Sequence, residues 1–253
     1  MKVVIILACV AATVFAAPGN NGSWRIVGGD GDAGTAPHTS PYQVSLSING
    51  AHTCSGSILD DSTILTAAHC VVGFCDEGSD PTLIKIAAGK NKLSELVYNN
   101  KGKSVICHED YDSWDIKNDI AIIKLETALT LTADIQAVQL PRTDIINEEV
   151  TFYGWGTTDN SSILSDALKY ITMKTISVKD CIDKMPDKVG PTEVCAIAGT
   201  GKGACHGDAG GPLLASDGTV IGIVSWGIPC AEGYPDVFTR VYSFLDWIEE
   251  NRN

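Results

Sequence analysis

Cys205-His206-Gly207-Asp208-Ala209-Gly210-Gly211-Pro212 is the most informative stretch of this 253-residue chain. Consecutive glycines around a small residue suit a tight turn whose backbone N–H groups converge. Converging amides make an anion-binding nest, able to hold an oxyanion as charge develops on it. Ala209 stands at the apex of that turn.

Two shorter motifs precede it. In Thr66-Ala67-Ala68-His69-Cys70 a histidine follows a small-residue strand and is anchored by a cysteine. Imidazole serves as a base near neutral pH, although a structural histidine would look the same in isolation. In Asn118-Asp119-Ile120-Ala121 an aspartate enters an apolar strand, where burying it is costly unless it is paired. A histidine partner would satisfy it and fix the imidazole tautomer; alone, it would read as a turn cap.

In chain order, His69, Asp119 and the Gly-Asp-Ala-Gly-Gly-Pro segment resemble the trypsin/chymotrypsin family of serine proteases. Ile26-Val27-Gly28-Gly29 is similar to that family's mature N-terminus, and Ser225-Trp226-Gly227 to its substrate-pairing strand. The likeness runs from Arg25 to the end of the chain. It implies an all-β fold of two six-stranded antiparallel β-barrels with a C-terminal α-helix and a site in the cleft between the barrels. It also implies roles: His69 as base, Asp119 as its orienting acid, and the Gly207 and Ala209 amides as oxyanion hole. Gly203, Ser225, Trp226, Gly227 and Asp236 would form the specificity pocket. Cleavage between Arg25 and Ile26 would free an amine that pairs with Asp208. His52 and Ser45 match residues that hold this aspartate in some zymogens, although a surface histidine is an equal reading of His52. His206 is expected at the pocket rim.

The departures decide the function. The family reads Gly-Asp-Ser-Gly-Gly-Pro, and this chain has Ala209 in place of the serine. Acyl transfer needs an oxygen or sulfur nucleophile activated by the base, and a methyl group offers neither. The position six residues before it is Gly203, where trypsins carry aspartate, and Asp236 offers a carboxylate from another wall. That Gly-plus-Asp pairing resembles the broad-specificity collagenolytic members of the family. Pro229, beside Cys230, lacks an N–H and fixes its own φ, which would reshape the cleft.

The resemblance pairs Cys54 with Cys70, Cys181 with Cys195, and Cys205 with Cys230. Cys75 and Cys107 are left over and are expected to form a fourth bridge, since an exported chain seldom keeps two free thiols. Export is read from Lys2 followed by an apolar run over Val3 to Ala17, broken only by Thr13, with small residues before a cut near Ala16 or Ala17. The run is about 15 residues against the roughly 20 that span a bilayer. Residues 1–16 are therefore read as a signal peptide, 17–25 as a propeptide, and 26–253 as the protease-like domain. Of nine cysteines, Cys9 falls in the signal, and the even remainder fits a disulfide framework. No C-x-x-C or His/Cys cluster argues for a metal, and no cofactor is expected.

The formal charge is −13, and −15 once residues 1–25 are set aside, which excludes a nucleic-acid partner and disfavours anionic membranes. Short apolar runs separated by turn residues read as strands: Gln43 to Ile48 (half-buried by alternation), Thr63 to Ala68, Leu83 to Ala87, Ile120 to Leu125, Thr151 to Trp155 and Val220 to Trp226. Glu126 to Arg142 reads as a link between halves. Val241, Phe244, Leu245 and Ile248 recur at helical spacing near the end. Asn21 and Asn160 open glycosylation patterns.

Three readings of function follow. The first is a secreted, monomeric protein, inactive as a protease, that binds other proteins. The second is an active serine endopeptidase whose serine was replaced by design. The third is weak residual catalysis through another nucleophile. His108 through Ala121 and Gly233 through Glu249 are similar to the trypsin-like group 3 allergens of mites and to the scabies mite inactivated protease paralogues. That likeness implies interference with host complement or other plasma proteins as partners.

Overall fold

A computed structural model describes residues 29–33, 39–157, 163–185, 189–228 and 231–252. The signal, the propeptide, Arg25, Ile26, Asn21, Asn160, Pro229 and Cys230 lie outside the described residues.

The first barrel is closed from six antiparallel strands: β2 (Gln43–Ile48), β3 (Ala51–Asp60), β4 (Thr63–Thr66), β5 (Lys85–Ala88), β6 (Asn100–Cys107) and β7 (Ala121–Leu125), in the order β2-β3-β4-β7-β6-β5. Asn49 and Gly50 both take positive φ (58° and 84°), which gives the turn between β2 and β3 the twist a tight hairpin needs. β2 departs from the half-buried expectation, because five of its six residues are buried. Val44 and Leu46 enter the core, while the polar face is covered: Ser45 is bonded to His52 and Tyr98, and Gln43 reaches the Tyr153 carbonyl.

The second barrel holds β8 (Glu149–Gly154), β9 (Lys169–Ile176), β10 (Glu193–Ile197), β11 (Pro212–Ala215), β12 (Val220–Gly227) and β13 (Asp236–Arg240). The ring runs β8-β9-β10-β13-β12-β11 and closes through the β11–β8 pairing. A two-residue strand, β1 (Gly31–Asp32), adds to β9. Alternation along β9 sends Ile171 and Met173 inward, to meet Phe152, Phe238 and Leu213 in this barrel's core. The two-barrel, all-antiparallel architecture expected from the resemblance is therefore the architecture present.

Residues 126–148 connect the barrels. Val138 N–H donates to the Ile58 carbonyl (2.8 Å) on the first, and one residue later the Gln139 carbonyl accepts from Val220 N–H (2.9 Å) on the second. At the far end, a single 3₁₀ turn (Val241–Phe244) feeds a helix, Leu245–Asn251. Val241, Phe244, Trp247 and Ile248 pack into a core cluster that holds residues of both barrels, so the chain's end helps join the two. His108 stacks against Trp247 (5.3 Å), and the indole N–H donates to Glu109 (3.0 Å).

Disulfides join Cys54 to Cys70, Cys75 to Cys107 and Cys181 to Cys195. Cys205 is also disulfide-bonded, and its expected partner Cys230 is outside the described residues. Closing loops of this size stabilises by roughly 3 kcal/mol each in the chain-entropy account. Among the described residues, no helix is long and apolar enough to cross a membrane.

Candidate active site

His69 sits in a one-turn helix, Ala68–Val71, that follows β4, and the Cys54–Cys70 bridge ties this turn to β3. Asp119 precedes β7, the neighbour of β4 in the first barrel. Their meeting is thus a consequence of strand pairing: Thr66 lies opposite Ala121, which brings the residues just beyond each strand end together. His69 Nδ1 lies 2.7 Å from Asp119 Oδ2, and the His69 backbone N–H donates to Oδ1 (2.8 Å). An aspartate oxygen only accepts, so Nδ1 carries the proton.

The second barrel completes the arrangement. Ser225 Oγ donates to the same Asp119 Oδ2 (2.6 Å), and Thr239 Oγ1 donates to the Asp119 carbonyl (2.7 Å). Ser225, read in sequence as a pocket residue, also lines the cleft, so it serves both places. Thr239 is a site residue that the sequence does not announce: it lies 120 positions away, and nothing in its neighbours marks it. Asp119 is 1% exposed, yet three N–H or O–H groups satisfy its carboxylate. Burial would lower the His69 pKa, but the hydrogen bond and charge of Asp119 outweigh it and hold the imidazole above its ordinary value.

Ala209 lies on the turn before β11, packed against the core cluster that the two barrels share. Its carbonyl accepts from Ser55 N–H (2.7 Å), and Thr66 Oγ1 donates to the Ser55 carbonyl (2.8 Å). The turn is therefore pinned to the strands that carry His69. Gly210 is required here: its φ is +78°, and a Cβ would collide with Thr66 Oγ1 and the Ser55 carbonyl. Gly210→Ala is expected to lower stability by at least about 2 kcal/mol, read from the denaturant midpoint. An unchanged midpoint would mean that the turn is not packed as described.

His69, Gly207, Ala209, Ser225, Trp226, Gly227 and Asp236 line one cleft of about 260 Å³, with exposed His206 at its edge. Asp236 is buried in its wall, and Ala204 N–H donates to Oδ2 (2.9 Å). Gly203 is buried behind it, where a Cβ would stand 3.0 Å from that oxygen, so the missing side chain makes room for the carboxylate.

Burial pushes the Asp236 carboxyl up to about 7, against the lowering effect of the Ala204 N–H. An unfolded aspartate titrates near 3.9. Between about pH 4 and 7 the folded chain therefore binds more protons at this site, and stability from this group falls as pH rises through that window. Asp236→Asn cannot ionise, so its Tm relative to the parent is expected to rise between pH 5 and pH 8. Thermal unfolding at both pH values checks this, and a constant or falling difference contradicts it.

Asp208 is fully buried. Oδ1 accepts from Gly156 N–H (2.7 Å) and Oδ2 from Cys205 N–H (2.9 Å), while burial, with Asp236 adding to it, raises its pKa to about 7. Its expected pairing with the Ile26 amine lies outside the described residues. His52 fits neither of its two readings. It is not bonded to Asp208, and it is not a free surface group. Nδ1 meets Ser45 Oγ (2.6 Å), Nε2 meets the Gly207 carbonyl (2.9 Å), and the ring edge packs on Trp155. Tyr98 Oη joins the same Ser45 hydroxyl (2.6 Å), a contact that no local motif marks. Burial outweighs the Gly207 hydrogen bond and lowers the His52 pKa.

Cys54, His69 and Cys70 bring sulfur and nitrogen atoms within 4.8 Å of one another, but the sulfurs are bonded together, which leaves no thiolate for a metal ion.

The family described as Trypsin matches residues 26–248. Among curated proteins, the chain is 39% identical to Brachyurin of Leptuca pugilator over 88% of its own length and 97% of that protein's. It is 39% identical to Chymotrypsin-2 of Vespa crabro over 84% and 94% of the two chains. It is 36% identical to Trypsin II-P29 of Gallus gallus over 97% and 96%.

Proposed function

The chain belongs to the trypsin family of serine proteases, and within it we propose that this protein is a secreted homologue that does not cleave peptides and acts by binding other proteins. One observation carries this: the apex of the turn facing His69 across the cleft is Ala209, which has no atom able to attack a carbonyl. The His69–Asp119 pair is formed at 2.7 Å, which supports placing the deficit at position 209. Secretion is supported by the Lys2-initiated apolar leader and by the disulfide-bonded cysteines. The domain would begin at Ile26 after a 1–16 signal and a 17–25 propeptide, and would work as a monomer. Host complement and other plasma proteins are the proposed partners, on the likeness of the 108–121 and 233–249 stretches to the inactivated mite paralogues.

The competing reading is a working endopeptidase whose serine was replaced by design. The intact His69–Asp119 pair and relatives named as a trypsin and a chymotrypsin favour it. Codon 209 in the source gene decides between the two: alanine supports the natural homologue, serine the replacement.

The functional test has two arms. Protein cut after Arg25 is assayed against peptide esters and amides, with no turnover expected above that of His69→Ala. It is then added to serum in a complement lysis assay, where slower lysis is expected. Turnover that disappears in His69→Ala overturns the non-cleaving reading. Unchanged lysis removes complement as the partner.

A further inference from the structure

The cleft is lined by two backbone amides that, among the described residues, donate to no backbone carbonyl, and by His69, whose Nε2 becomes a third N–H donor when the ring is protonated. The His206 carbonyl accepts from Thr157 N–H (2.8 Å). In a planar trans peptide the N–H points away from the carbonyl, so the Gly207 N–H is directed away from Thr157. The Asp208 carbonyl accepts from Gly211 N–H (3.1 Å), which turns the Ala209 N–H to the opposite side of that peptide. Both residues line the cleft, and among the described residues neither amide donates to a backbone carbonyl. The loop cannot easily rotate them elsewhere, since His52 holds the Gly207 carbonyl and Ser55 holds that of Ala209.

His69 is the third donor. Asp119 occupies Nδ1, which leaves Nε2 for the cleft. Its neighbour is the Cys70 sulfur at 3.8 Å, a weak acceptor. Asp119 favours the imidazolium, which donates from both nitrogens. A serine at position 209 would place a hydroxyl against Nε2. Ala209 lines the same cleft as His69, and its methyl can neither bond the ring nor act as a ligand oxygen.

Two amides, with an imidazole that a bound anion would keep protonated, are the complement of a carboxylate, not of a neutral peptide carbonyl, which offers one oxygen and no charge. Hydrogen bonds to a charged acceptor are about twice as strong as neutral ones, and nests of this kind capture chain ends. The Asp236 carboxyl lines the same cleft with Ala204, Trp226 and Gly227, and in its ionised form it is the complement of a basic side chain.

We propose that the cleft receives the free C-terminal carboxylate of a peptide ending in Arg or Lys. One carboxylate oxygen accepts from the Gly207 and Ala209 N–H groups, the other accepts from His69 Nε2, and the terminal side chain extends to Asp236. This rests on the non-cleaving reading of Ala209 and goes beyond it by naming the ligand. Such chain ends are what cleavage after a basic residue creates, so the protein would be a receptor for the products of that hydrolysis.

The test uses fluorescein-Gly-Ala-Ala-Arg with a free C-terminus and the same peptide as its C-terminal amide. Each is titrated against the purified full chain by fluorescence anisotropy, and peptide masses are checked afterwards. The free acid is expected to bind about tenfold more tightly or better. His69→Gln, whose amide cannot carry charge, is expected to reduce that preference to about twofold or less. Equal affinities, tighter binding of the amide, or no binding of either peptide overturns the carboxylate proposal and leaves the non-cleaving reading standing. Conversion of the amide to the acid, lost in His69→Gln, overturns the non-cleaving reading itself.

Discussion

Ala209→Ser is expected to convert the protein, once cut after Arg25, into an enzyme that turns over peptide esters at least about 10³-fold faster than the parent. The expectation follows from how the parts of a triad act together. In subtilisin, removing the serine alone costs about 10⁶-fold in turnover, nearly as much as removing all three residues. Here the other two are already placed: Nδ1 of His69 is held by Asp119 at 2.7 Å, and the carboxylate is fixed from the second barrel by Ser225. The turn at 209 is anchored through Ser55 and is already occupied by a residue with a Cβ. Adding one oxygen to that carbon asks for no backbone movement. Steady-state hydrolysis of a peptide ester ending in Arg reads the gain. A variant that folds normally and stays as slow as the parent would show that the cleft is deformed beyond the missing hydroxyl.

Asp119→Ala is expected to cost about 3–5 kcal/mol of stability, apart from any effect on catalysis. Removing the carboxylate strands the His69 N–H, the His69 ring N–H and the Ser225 hydroxyl together. A buried donor left without its acceptor costs about 1–3 kcal/mol, and these three share one acceptor, so their penalties overlap. Two of the donors come from the first barrel and one from the second, so the pair braces the cleft as well as arming it. This is a physical reason, independent of catalysis, for the chain to retain the His–Asp pair. Ser225→Ala, which removes one donor and leaves the carboxylate satisfied by the other two, should cost about 1 kcal/mol. Denaturant midpoints at constant slope measure both. An Asp119→Ala cost no larger than that of Ser225→Ala would contradict the bracing role.

What the sequence disclosed depended on how local the information was. The chemistry-bearing segments were legible because each is a short motif read in place: His69 beside its cysteine, Asp119 at the start of a strand, and the glycine-rich turn around Ala209. Strands with continuous apolar character, such as Val220 to Trp226 and Ile120 to Leu125, stood out for the same reason. β3 did not, because Ala51–Asp60 is a mixture of small and polar residues whose burial comes only from the strands on either side. β6 did not, because Asn100–Cys107 carries two lysines toward solvent and only Gly102 and Val105 inward. The seven-residue helix Val178–Lys184 is short and mostly exposed, and the Ser177 cap is its one local signal.

The contacts that tune the site were less visible still. Thr239 supports Asp119 from 120 residues away, and Tyr98 reaches His52 through Ser45. Both depend on barrel closure, which places residues by register and not by neighbourhood. His52 shows the same limit: its residue type marked it as notable, but only the fold decides that it holds the Gly207 carbonyl and not the Asp208 carboxylate.

The most direct measurement of the central claim is covalent labelling with a fluorophosphonate after cleavage at Arg25, read by intact mass and by mapping the modified peptide, with Ala209→Ser as the positive control. The parent should keep its unmodified mass while Ala209→Ser gains one phosphonyl group at position 209. A phosphonyl adduct on the parent within the cleft, abolished by His69→Ala, would contradict the claim that this site has no nucleophile.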